Sequence, residues 1–147
     1  MKIQIIIRQI AITLTCIFST VSFAYENPLL PSVQTQGQTQ FISGGIGKDE
    51  SEAILQVRRS WPLMLELTQA DDSRAQYIGD VQITIKDELH NTVLDTTTEG
   101  PYLLVQLPAG KYSLEATYNT TTLHRKLNLQ KESGKKVTLV WPADRNH

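Results

Sequence analysis

The residue types that most often carry chemistry are sparse in this chain of 147 residues. Its histidines, His90, His124 and His147, stand far apart, and none has a second ligand at metal-binding spacing. A zinc site needs three or four converging ligands. We therefore expect surface positions for the histidines, no metal and no cofactor.

Acidic side chains gather at two predicted turns, with Asp71, Asp72 and Asp80 around one and Asp87 and Glu88 at the next. Ca²⁺ binds such oxygen ligands, but the chain lacks the Asp-x-Asp-x-Asp-Gly pattern of a calcium loop. Acids are common in turns because their side chains bond to nearby backbone. We interpret these residues as solvated turn residues.

A glycine-rich stretch, Gly44-Gly45-Ile46-Gly47-Lys48, precedes a predicted helix in the manner of a phosphate-binding loop. The Walker pattern fails because Asp49 follows the lysine, and the dinucleotide fingerprint fails because Glu50 replaces its third glycine. A carboxylate at the helix start would also repel a phosphate. We interpret the stretch as a strand-to-helix turn that needs the conformational freedom of glycine.

No catalytic motif is present. The chain has no Gly-x-Ser-x-Gly elbow and no serine with an evident histidine and aspartate partner. Its one cysteine, Cys16, lies in an N-terminal apolar segment, so no thiol chemistry is indicated for the mature chain. We predict that the protein is not an enzyme. A carboxylate pair for glycoside hydrolysis stays open, because its separation cannot be read from sequence.

The N-terminus has the three parts of a secretory signal peptide in order. Lys2 and Arg8 are basic, residues 10–21 are apolar apart from Thr and Ser, and Ser22-Phe23-Ala24 offers small residues at a cleavage site. An uncleaved anchor is the alternative, but polar residues interrupt the stretch, and a span needs about 20 predominantly apolar residues. We predict cleavage after Ala24 and a periplasmic or secreted protein, with residues 1–24 as signal peptide.

The remaining 123 residues carry 12 basic and 15 acidic side chains, a net charge of −3. Binding to nucleic acid or anionic lipid needs a positive surface. We therefore expect no nucleic acid, no stable membrane insertion after cleavage, and another envelope or exported protein as partner. The mature chain has no cysteine, so burial alone must stabilise it in an oxidising compartment.

Residues 25–37 contain Pro28, Pro31 and Gly37 and are predicted to form a flexible leader. Residues 38–62 are predicted to form a strand through Phe41 and then a helix over residues 50–60. Asp49 would cap that helix, and an apolar face would pack on the domain. That face comprises Ala53, Ile54, Val57 and Trp61.

From Leu63 to residue 142 the apolar period becomes two, which is typical of half-buried strands. Seven strands are predicted at intervals of about ten residues, the spacing of a β-sandwich. The strand over residues 102–107 is apolar on both faces and is expected to be central. The fold class predicted is all-β: a seven-stranded Ig-like or transthyretin-like β-sandwich with one short N-terminal helix.

The segment over residues 100–116 contains Leu107-Pro108-Ala109-Gly110-Lys111-Tyr112. It resembles the signature of carboxypeptidase regulatory-like domains, transthyretin-like sandwiches found in small exported proteobacterial proteins. Residues 81–95 are similar to the preceding strand pair of such domains. The resemblance implies a sandwich over residues 63–142 and a mostly non-catalytic protein.

Two functions fit these observations. The first is protein contact, and the alternative is a carbohydrate or small-ligand binding module that uses exposed aromatic residues. We predict a partner surface on the polar loop over residues 69–79, where Asp71, Asp72 and Arg74 would steer a partner and Tyr77 would anchor it.

Overall fold

The computed structural model describes residues 27–131 and 134–144, so the predicted signal peptide lies outside the described residues. Ten strands in those residues form two sheets. The strands are β1 (Gln34–Gln36), β2 (Thr39–Gly44), β3 (Leu63–Gln69), β4 (Gln76–Tyr77), β5 (Gln82–Asp87), β6 (Thr92–Thr97), β7 (Tyr102–Gln106), β8 (Gly110–Tyr118), β9 (Thr121–Leu129) and β10 (Lys135–Trp141). One helix, α1 (Lys48–Val57), continues into a 3₁₀ turn, Arg58–Ser60.

The first sheet has the order β1-β2-β7-β3-β10, and β4 pairs with the end of β3. The second sheet has the order β6-β5-β8-β9. All pairs are antiparallel except β3 with β10, which run parallel with Leu63 beside Lys135. The predicted all-β sandwich with one short helix is confirmed, and each of the seven strands predicted after residue 62 is present.

The main core lies between the sheets and follows the period-two pattern. Leu63, Leu65 and Leu67 of β3 face the second sheet, where Ile83 and Leu114 are also fully buried. Tyr112 closes one end of this core, as its hydroxyl donates a 2.7 Å hydrogen bond to the carbonyl of Pro108. Such a corner bond explains why the β7–β8 turn needs a tyrosine after the Pro-Ala-Gly sequence.

A second, smaller cluster lies on the opposite face of the first sheet, beneath α1. Ile54 of the helix packs there on Met64 and Leu104, with Ile42 and Tyr102 completing the cluster. The helix therefore buries the outer face of β3, which the sequence predicts as half-buried. The structure corrects that prediction because β3 is covered on both faces.

The start of α1 differs from the prediction. The helix begins at Lys48 with Gly47 as N-cap, and no side chain caps it. The Glu50 carboxylate instead accepts hydrogen bonds from the backbone N–H groups of Gly45, at 2.6 Å, and Ile46, at 3.3 Å. The predicted Asp49 cap is therefore wrong. The glycine stretch is an anion-binding turn that is filled by a carboxylate of the chain itself.

The structure also differs from the predicted flexible leader, residues 25–37, at its C-terminal end. Gln34–Gln36 form β1, which pairs with β2 with Gln34 beside Phe41. Leu30 packs against the cluster beneath α1. None of the helices in residues 27–131 and 134–144 is long and apolar enough to cross a membrane.

Candidate functional site

The four residues predicted to contact a partner lie in or beside the β3–β4 connection. The Asp71 carboxylate accepts hydrogen bonds from the backbone N–H of Asp72 and from the side-chain amide of Gln76, both at 2.8 Å. Arg74 is exposed and makes no hydrogen bond or ion pair with any described residue. Asp71 thus shapes the loop from within.

Tyr77 leaves the loop and joins the outer face of the first sheet. Its ring is 59% exposed and packs against the buried ring of Tyr102, with ring centroids 5.7 Å apart. Its hydroxyl donates a 3.3 Å hydrogen bond to the carboxylate of Glu66. Of the four predicted residues, Tyr77 is the one that the structure connects to a polar cluster on the sheet.

Glu66 is the centre of that cluster. It lies on the outer face of β3 and is only 8% exposed. Its carboxylate accepts hydrogen bonds from the Thr138 hydroxyl, at 2.9 Å, and pairs with the Lys136 ammonium, at 2.5 Å. Both partners lie on β10, where Thr138 is in register with Glu66 itself and Lys136 with Met64. The parallel β3–β10 pair therefore brings these groups together across some 70 residues of sequence.

Opposing effects set the charge state of Glu66. Burial raises the pKa of its carboxyl, but the hydrogen bonds of Lys136 and Thr138, the Lys136 charge and the Tyr77 hydroxyl lower it below its ordinary value. Burial raises the pKa of Tyr102 well above the usual range. Glu66 is thus an ionised carboxylate with internal partners at neutral pH. This arrangement fixes side chains in place and offers no proton for acid catalysis.

The exposed side chains around this cluster form a surface that we call the outer patch: Tyr77, Lys136, Thr138 and Val140. Tyr77 and Val140 both pair in register with Thr68, so they share one face of the sheet. Val140 is 48% exposed. The sequence predicts Tyr77 here but not Lys136, Thr138 or Val140, because nothing local reveals which strand lies beside β3. A glutamate within the apolar alternation of β3 is the one available signal.

A separate cleft of about 450 Å³ lies at the end of the sandwich where the 3₁₀ turn meets the β7–β8 turn. Arg59 and Trp61 line one side, and Gln106 and Pro108 line another. Lys131, from the β9–β10 connection, completes it. Among the described residues, no three histidine, cysteine or acidic side chains come together as a metal site would require.

Comparison with known proteins gives little further information. No family model matches the chain. No curated protein matches it. A solved structure with which it aligns, the Bacillus anthracis TIE protein, is 21% identical, with a TM-score of 0.42. The alignment covers 54% of this chain and 16% of that chain. The carboxypeptidase regulatory-like resemblance stays a prediction from the sequence motif.

Proposed function

We propose that this chain is a non-catalytic, exported β-sandwich module that acts by contact with another protein of the cell envelope. The observation that carries the proposal is the outer patch. An exposed tyrosine and an exposed valine lie on one sheet face, and the tyrosine is tied by a hydrogen bond to a buried carboxylate that also pairs with Lys136. Aromatic anchors on rigid elements are typical of protein interfaces.

The distribution of aromatic side chains favours protein contact over sugar binding. Among the large hydrophobic side chains that the described residues expose, Tyr77 is the one aromatic. A glycan platform built from several exposed rings is therefore not formed on this surface. The flanking loop adds the charged side chains Asp71, Asp72 and Arg74, which would steer a charged partner.

The cleft beside Trp61 favours a second candidate function, binding of a carbohydrate or another small ligand. Its volume of about 450 Å³ falls within the range of small-molecule sites. It combines an indole ring with amide and cationic side chains. A glycan array would test this function. Binding that is lost in Trp61→Ala but kept in Tyr77→Ala would favour the ligand-binding candidate.

Protein contact is tested by crosslinking in intact cells. Replacing Asp71, Asp72, Arg74 and Tyr77 together by Ala should leave the protein folded but lower the free energy of unfolding by about 1–3 kcal/mol, because Glu66 loses the hydrogen bond from Tyr77. The same variant should lose the strongest crosslink. Leu89→Ala, at an exposed leucine on the β5–β6 turn of the second sheet, is the matched control and should keep it. An unchanged crosslink in the fourfold variant would contradict the proposal.

Export is tested by the intact mass of the protein recovered from the periplasm or medium. We expect a chain that begins at Tyr25 and carries no acyl group, because Ser22-Phe23-Ala24 precedes that position and Cys16 would leave with the signal. Replacing Ala24 by a bulky residue such as Trp should slow processing. A recovered protein that retains residues 1–24 would contradict cleavage.

A further inference from the structure

Apart from the two-residue β4, four strands lie at the edges of the two sheets, and three of these edges are short or partly closed. β1 is three residues long. On β6, the Gln36 side-chain amide accepts from the N–H of Asp95, at 2.6 Å, and donates to its carbonyl, at 3.0 Å, so it occupies the place of a neighbouring strand. On β9, the carbonyls of Thr121 and Asn128 accept hydrogen bonds from side chains of β10.

The fourth edge, on β10, is seven residues long and open. Lys135 donates its N–H to Pro62, and the carbonyls of Leu139 and Trp141 accept from the β3 side, so the backbone groups of alternate residues point towards β3. Those of Lys136, Thr138 and Val140 therefore point away from it. No hydrogen bond from another described residue reaches these groups. Their three side chains are exposed on the outer face of the sheet.

Charge is segregated onto the same part of an otherwise acidic protein. Residues 121–141 carry five basic side chains, Arg125, Lys126, Lys131, Lys135 and Lys136, and one acid. Among the described residues, only Lys136 of these five has an ion-pair partner, Glu66. β9 lies beside β10 across the seam between the sheets, with Trp141 and Lys135 bridging it. Lys131 and Lys135 therefore place positive charge beside the open edge, and neither has an acidic partner among the described residues. Arg125 and Lys126 lie on the second sheet, where they line a pocket with Lys86 and Ser113.

We propose that β10 is a strand-addition site for an extended acidic segment of another protein. This inference rests on the proposed function and specifies its partner chemistry. The segment would pair with the free N–H and C=O groups of Lys136, Thr138 and Val140. Its acidic side chains would meet the basic border, and an apolar side chain would pack on Val140, which lies on the same sheet face as Tyr77 with Thr68 of β3 between them. Strand addition provides affinity through the backbone, and charge complementarity selects the partner.

The test compares amide hydrogen exchange of the full-length protein, measured by NMR, with and without a defined peptide. The probe is an N-acetylated, C-amidated heptapeptide of alternating glutamate and valine at millimolar concentration. We expect the amide exchange of Lys136, Thr138 and Val140 to slow by about tenfold or more, as amides gain partners. High salt should weaken the effect, because the charges are exposed.

Two control peptides separate strand pairing from charge. The same acidic peptide N-methylated at every residue has no backbone N–H on either edge, so it cannot form a strand ladder and should give no protection. A heptapeptide of alternating lysine and valine keeps the backbone but reverses the charge, and it should give less than about a third of the protection. Equal protection by both unmethylated peptides, or no protection by the acidic one, overturns the proposal.

Protein variants test the same edge. Val140→Pro removes one outward N–H without removing a bond to β3, and proline is tolerated on edge strands. It should abolish protection of Lys136 and Thr138, whereas Val140→Ala, which keeps the N–H, should retain it. If the peptide protects these amides in Val140→Pro as strongly as in the parent, the proposal is wrong. If the crosslink in cells persists while the peptide gives no protection, protein contact stands and strand addition fails.

Discussion

A carboxylate on a buried strand is costly unless its hydrogen-bonding capacity is filled. Two strands supply the partners of the Glu66 carboxylate, since Lys136 and Thr138 lie on β10 and Tyr77 lies on β4. The same contacts hold the tyrosine that we assign to partner binding. At the residue scale, the candidate contact surface and the stability of the sheet therefore depend on one side chain.

Glu66→Gln should lower the free energy of unfolding by about 2 kcal/mol at neutral pH, the scale of hydrogen bonds to a charged group. The pKa of Glu66 is depressed in the folded protein. Its stabilising contribution is therefore present above the pKa of the unfolded chain and is lost as pH falls through the folded pKa. Urea unfolding at about pH 7 and about pH 3 should show the difference between parent and variant shrinking.

Glu52→Gln is the control, because Glu52 pairs with Lys48 at 3.8 Å on the exposed surface of α1. Exposed pairs of this kind contribute about 0.5 kcal/mol or less. A Glu66→Gln variant with the same small effect as Glu52→Gln, or with an effect independent of pH, would show that the buried ion pair does not stabilise the sheet.

Glycine positions allow a second test at this scale. Gly45 and Gly37 both have positive φ, at 98° and 59°. A Cβ on Gly45 would overlap the Tyr102 ring, whereas a Cβ on Gly37 would meet nothing within 4 Å. Gly37→Ala should cost about 1–2 kcal/mol from its backbone conformation alone. Gly45→Ala should cost clearly more in chemical unfolding, and equal costs would contradict the close approach of Tyr102.

At the scale of elements, the sequence predicts strands better than it predicts their ends and neighbours. The alternation of apolar and polar residues predicted β5 and β8 correctly, because every second side chain of these strands is buried in the core. It could not locate β1 or β4, which are two or three residues long and have little to bury. The helix cap also failed as a prediction, because Asp49 and Glu50 are equally plausible partners for the turn until its backbone geometry is known.

The Gln36 contact predicts a measurable role for β1. Gln36→Ala should expose the N–H and C=O of Asp95 on β6, so the Asp95 amide should exchange faster in the variant. Open strand edges also promote association, so the variant should aggregate sooner on heating. Gln38→Ala, at an exposed glutamine in the same hairpin, is the control and should leave the Asp95 amide unchanged.

At the scale of the whole molecule, strand order is what the sequence could not supply. The predicted central strand, β7, does lie between β2 and β3. The parallel pairing of β3 with β10, however, joins the first and last strands of the predicted sandwich. Such pairing is decided by burial across the finished fold and not by local preference. The outer patch and the β10 edge both depend on this pairing, so neither could be assigned before the topology was known.

The two cores should both be essential to the fold. Leu114 lies between the sheets, and Leu104 lies beneath α1, and both are fully buried. A buried, unpaired carboxylate costs several kcal/mol, which is comparable to the 5–15 kcal/mol that stabilises a typical domain. Leu114→Asp and Leu104→Asp should therefore lose the β-dominated far-UV circular dichroism spectrum of the parent. Leu55→Asp, on the exposed side of α1, should keep it. A Leu104→Asp variant that melts like the parent would mean that the helix packs on the sheet without contributing to its stability.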